Sequence, residues 1–154
     1  MKQKRNMSTV HWANFVSLSG IEYTYQLLQN MQSYSNAIDR DKHDAITILS
    51  YAIDDDLCRA TADLFFKFYA RFTYNFVWTI LPFGGIYLVG ETATVHQKML
   101  SDIFLPEYFN CVSSKQPVLK RIPIYIINND VQLILYGTMH YFWYNKLNNY
   151  RMPS

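Results

Sequence analysis

Phe83-Gly84-Gly85-Ile86-Tyr87-Leu88-Val89-Gly90 decides the fold class. Two glycines make a turn, four mostly apolar residues follow, and a third glycine closes the run. That pattern predicts a short strand entered through a glycine turn and buried on both faces, as in a parallel sheet. A second run, Ile122-Pro123-Ile124-Tyr125-Ile126-Ile127, reads the same way. Its proline lies near the start, where the missing N–H matters least.

Helical patterns surround the two runs. The longest extends from about Leu57 to Leu81. Asp54, Asp55 and Asp56 place negative charge at its start, and Pro82 stops it. Residues 64–81 are aromatic enough to suggest a membrane span. Asp63, Lys67, Arg71 and Asn75, however, repeat every four residues and form one polar stripe. Two cations within that stretch make insertion costly, so a buried helix of a soluble domain is expected. Asp63 preceding Lys67 is also the favourable order for an i,i+4 pair.

Upstream, Phe15-Val16-Ser17-Leu18 reads as a short buried strand. Ser19-Gly20 breaks it, and a helix follows from Ile21 to Met31. Residues 32–44 read as a connection, and Asp44 or Thr47 caps a shorter helix through Tyr51. Downstream, Thr94 to Ile103 predicts a helix broken by Phe104-Leu105-Pro106. A polar loop around Ser113 to Gln116 comes next, and a closing helix runs from Val131 to about Tyr144. Helix, strand, helix, strand, helix is an α/β order.

The totals agree with one packed domain. The 154 residues are 50% hydrophobic and 17% aromatic, which excludes wholesale disorder. A net charge of +2 is too small to imply a nucleic-acid or acidic-membrane partner. Lys2, Lys4 and Arg5 are followed by Asn6-Met7-Ser8-Thr9 rather than an apolar run, so no signal peptide is expected. Cys58 and Cys111 form neither a disulfide framework nor a zinc spacing and suit a reducing cytoplasm.

Several segments together resemble the bacterial-type glucokinase family. His11 to Gly20 (HWANFVSLSG) is similar to the family's HVSxERVLSG. Asn75 stands where the family has a Gly-Asn-Leu after a long helix. Gly84 to Gly90 (GGIYLVG) is similar to GGVYIAGG, and Ile122 to Ile127 (IPIYII) to IPVYxI. Phe104, Phe109 and Lys115 echo an F…F…K segment. Leu133, Ile134 and Gly137 lie where the family has a glycine-rich helix start. The pieces keep the family's order from about His11 to Tyr141.

The resemblance implies an α/β fold: the C-terminal lobe of an actin-like ATPase (ribonuclease-H-like) sugar kinase, incomplete in this chain. It implies a flexible segment over residues 1–10, the lobe over 11–144 and a tail over 145–154. It also implies ATP with Mg²⁺ as cofactors. Carried over position by position, it makes Ser19, Gly20, Gly84, Gly85 and Gly90 the nucleotide-cleft candidates. Glycine there lets backbone N–H groups approach adenosine and phosphate. The plainer reading is that these glycines only make tight turns.

The family's catalytic parts have no counterpart in these residues: a DxGGTxxR-like phosphate loop, an Asn-Asp carrying the base, and a sugar-binding Glu/His pair. Asp54 to Asp56 are better read as helix caps, and His11, His43, His96 and His140 show no ligand spacing. Glu91 replaces the family's second glycine after the strand and would point a carboxylate at the phosphates. Ile21, Glu22, Thr73, Tyr74, Gln132 and Leu135 also replace small or flexible residues. The implied function is a degenerate nucleotide-side lobe for ATP-dependent phosphorylation of glucose, cytoplasmic and inactive alone. It would be completed by a separate N-terminal lobe. The alternative is a non-catalytic protein-interaction module, or a homo-oligomer, on a degraded kinase lobe.

Overall fold

The structure, a computed structural model, describes residues 11–31, 44–110, 113–128 and 130–149. The chain divides into two compact units. The first comprises residues 1–82 and 98–121, the second residues 83–97 and 122–154.

The first unit is helical and is organised around α3 (Asp56–Ile80). Asp55 caps it: its carboxylate accepts from the Cys58 N–H at 2.7 Å. At the other end Leu81 takes the left-handed conformation, with φ 44°, before Pro82. One face of α3 buries Leu57, Ala62, Phe66, Ala70 and Val77. The polar stripe stays outside, where Lys67 and Asp63 pair at 2.7 Å. This fits the expected start, end and faces of the helix closely.

Two shorter helices lie against α3: α1 (Leu18–Asn30) and α2 (Ala45–Ser50). Asp44 caps α2 by accepting from the Thr47 N–H at 2.7 Å, as its position predicted. The expected strand over 15–18 is absent. Trp12–Asn14 is a 3₁₀ turn, and α1 begins at Leu18. Ser19 and Gly20 therefore lie inside a helix rather than breaking one. The cause is Ser17, whose hydroxyl accepts the Gly20 N–H at 3.0 Å and starts the helix three residues earlier, at Leu18. Residues 32–43, read as a connection, lie outside the described residues.

The first unit is completed by a π-type turn (Leu100–Phe104) running into α6 (Leu105–Asn110), and by α7 (Gln116–Leu119). Pro106 was expected to break a helix here. Instead it lies in the first turn of α6, where its missing N–H has no intrahelical role. Phe104, Tyr108 and Leu119 are fully buried and join Ile21, Ile48 and Phe66 in the core.

The second unit holds β1 (Ile86–Leu88), α4 (Glu91–Val95), β2 (Ile124–Ile126) and α8 (Asp130–Asn149). The three-residue α5 (Gln97–Met99) spans the boundary between the units. The strands pair in parallel, with Ile86 opposite Ile124, Tyr87 opposite Tyr125 and Leu88 opposite Ile126. Both expected strands are present. The expectation that they are buried on both faces is not met: only Leu88 is buried, and Tyr87 is 57% exposed. Ile86, Ile124 and Ile126 are half-buried and Tyr125 is exposed, so the described residues leave part of the sheet uncovered. The chain is thus mostly helical with one small parallel sheet, rather than the evenly alternating α/β domain expected. α8 also runs five residues past the expected Tyr144.

Candidate functional site

The glycine turn leading into β1 is built from the strand pairing outward. The Ile86 N–H donates to the Pro123 carbonyl at 2.8 Å, and the Ile127 N–H donates to the Leu88 carbonyl at 3.0 Å. These bonds fix the start and end of the strand. Gly85 takes φ +117°, and a Cβ there would lie 2.6 Å from the Tyr125 ring. Its need for glycine is accounted for within the unit. Gly84 differs: a Cβ would meet nothing within 4 Å.

Gly90 takes φ +102° and is the N-cap of α4, again with open space where a Cβ would be. Its carbonyl accepts from the Ala93 N–H at 3.1 Å and the Thr94 N–H at 3.2 Å. Glu91 opens α4 with an exposed side chain, and Ala93 anchors the helix at 2% exposure. His96 follows the helix. Burial lowers its pKa, and the Glu91 carboxylate opposes that shift.

Ser19 and Gly20 belong to the other unit. The Ser17 hydroxyl lies 3.0 Å from the Ser19 hydroxyl and donates to the Ala13 carbonyl at 2.7 Å. A Cβ on Gly20 would lie 2.8 Å from the Asn14 carbonyl oxygen and equally close to the Phe15 backbone. Gly20 thus packs α1 onto the turn before it. The six residues named from the sequence fall two in one unit and four in the other, and neither unit gathers them all.

Sequence reasoning missed a recess in the first unit. Trp12, Arg71, Tyr74, Asn75, Glu107 and Asn110 line a space of about 390 Å³. The Arg71 Nε–H donates to Glu107 Oε1 at 2.6 Å across it. The 71/75 spacing on α3 was visible in the sequence as part of the polar stripe. Its partner segment, Glu107 and Asn110 on α6, carried no signal of its own. Trp12 also lines an aromatic hollow of about 380 Å³ with His11, Phe15 and Phe68.

Among the described residues no group of three or more His, Cys, Asp or Glu is placed to hold a metal ion. Nor is any helix among them long and apolar enough to cross a membrane. The class defined so far is a helical unit joined to a small parallel βα unit with a glycine turn. The particular family follows from comparison: the Glucokinase family profile matches residues 2–143, and the chain belongs to that family. No curated protein and no solved structure matches it.

Proposed function

We propose that this chain is the nucleotide-side part of an ATP-dependent glucose kinase, of the actin-like ATPase type, and that it does not phosphorylate glucose alone. The observation that carries the reading is the glycine-bounded βα turn within the family-matched stretch. Gly84 and Gly90 leave their Cβ positions open, so a ligand can approach the backbone there.

The residues fit a bound nucleotide in part. The backbone around Gly84 and Gly90 would face it, and ATP, bound with Mg²⁺, supplies the phosphoryl group for transfer. Glu91 opposes this. At about 4 Å, two like charges repel by roughly 1–4 kcal/mol, depending on screening. These residues also lack a counterpart of the family's base-bearing Asn-Asp, which a complementary N-terminal lobe would supply. A cytoplasmic setting accords with the substrate and with a sequence whose two cysteines form no disulfide framework.

Calorimetric titration with Mg·ATP tests the reading. Glu91→Gly is expected to bind at least tenfold more tightly than the wild-type chain. No binding by either protein would overturn it, whereas equal binding by both would keep the reading and remove only the repulsion assigned to Glu91. The alternative of an interaction module is favoured by one observation, the exposed apolar surface of α8.

A further inference from the structure

The recess in the first unit is made by two helices that each bring polar residues to one face. On α3, Arg71, Tyr74 and Asn75 are one helical turn apart and share a side. On α6, Glu107 and Asn110 do the same. Trp12, from the 3₁₀ turn, adds an aromatic wall. The hollow of about 390 Å³ lies within one unit and has the size of a small-molecule site.

Most of its hydrogen-bonding groups are unspent. Arg71 gives its Nε–H to Glu107 Oε1, and its Nη hydrogens have no protein partner among the described residues. The side-chain amides of Asn75 and Asn110 make no hydrogen bond among those residues either. Tyr74 is 8% exposed, and its hydroxyl is buried without a hydrogen-bond partner. A buried hydroxyl left so is costly, and folded proteins seldom keep one. Tyr74 also replaces a small residue of the family pattern, so this wall is particular to the chain.

The charges decide what fits. Arg71 and Glu107 are opposite in sign and 2.6 Å apart, so they cancel. An anion such as phosphate meets the Glu107 carboxylate, and a simple cation meets the Arg71 guanidinium. A neutral sugar engages neither charge with its opposite. A molecule carrying both signs on neighbouring groups satisfies both. Lys115 adds positive charge beside Tyr74, but it is held over the Tyr74 and Trp78 rings, at 6.0 and 4.5 Å, and does not line the recess.

We propose that the recess binds a free α-amino acid with an apolar side chain. This inference does not rest on the nucleotide reading. The ligand's carboxylate sits on the Nη hydrogens of Arg71, in the forked geometry that a guanidinium favours. Its ammonium donates to the Glu107 carboxylate. The amides of Asn75 and Asn110 carry donors and acceptors and serve either end. The apolar side chain packs on the Trp12 indole, which is 41% exposed and is backed edge-on by the Phe72 ring at 5.8 Å.

Calorimetric titration of the full chain with L-phenylalanine at neutral pH tests this. Two analogues that each lack one charge, hydrocinnamate and phenethylamine, are titrated beside it. Phenylalanine is expected to bind more tightly than either analogue by about tenfold or more. In Glu107→Gln, which keeps the side chain's shape, phenylalanine should lose about tenfold in affinity while hydrocinnamate should not weaken. The comparison of ligands on the unaltered chain does not depend on a variant folding. Equal binding of the three compounds would overturn the proposal, because an apolar hollow alone explains it. So would an affinity for phenylalanine unchanged by Glu107→Gln. So would a chain that gives no heat with phenylalanine at millimolar concentration, whether or not glucose binds in its place.

Discussion

Cys58 shows how far one position can be shifted by its surroundings. It lies in the first turn of α3, 2% exposed, beside the cap residue Asp55. Burial, then the Asp55 carboxylate, push its thiol up to about 12 from an ordinary value of 9.0. The thiolate is the reactive form, so Cys58 is expected to resist disulfide-exchange reagents at pH 8 until the chain unfolds. Prompt labelling of the native protein would contradict this. The sign of the linkage follows from the raised value. Between about 9 and about 12 the unfolded thiol loses its proton while the folded one keeps it. Stability supplied by the neutral thiol is thus complete below 9 and falls as pH rises toward 12. Chemical denaturation at pH 8 and pH 10.5 should show a lower midpoint at the higher pH. A Cys58→Ala variant should show less of that drop.

At the scale of elements, the helices were most legible where a cap and a stop both appear in the sequence. Asp55 and Pro82 bracket α3, and Asp44 announces α2 through its bond to the Thr47 N–H. The strands were legible from their glycine and proline punctuation. The misreadings share one cause, a residue with two opposite uses. Ser19-Gly20 can break a chain or sit in the first turn of a helix, and the hydroxyl of Ser17 decides which. Pro106 can end a helix or open one, and the π-type turn before it supplies the opening. The exposure of the sheet could not be read at all, because burial of its faces depends on which elements pack over them. The candidate site was legible only as glycines, not in what each is for. Gly85 and Gly84 are adjacent, yet only Gly85 combines a positive φ with a close ring. Gly85→Ala should therefore destabilise the chain by about 1–3 kcal/mol, through strain and through contact with Tyr125. Gly84→Ala should stay within about 0.5 kcal/mol of wild type. Equal thermal midpoints for the two variants would remove the distinction.

At the scale of the whole molecule, family membership was legible from ordered motifs that are each weak alone, and the Glucokinase profile spans residues 2–143. The division into two units was not, because it depends on contacts between distant stretches. The second unit is assembled from residues 83–97 and 122–154, and β1 has β2 as its strand partner. A chain ending at Arg121 keeps the sequence of β1 but loses that partner. The amide of Ile86 donates to the Pro123 carbonyl in the full chain. In the truncated chain it should exchange with solvent far faster, while the amides of central α3 keep their protection. Slow exchange at Ile86 in both chains would show that β1 finds another partner. The path of the chain also bears on inheritance. Each unit is threaded through the other in sequence, with crossings at 82/83, 97/98 and 121/122. No single break in the coding sequence can release either unit whole. Recombination can carry the pair together or destroy both, so the two must drift as one heritable block.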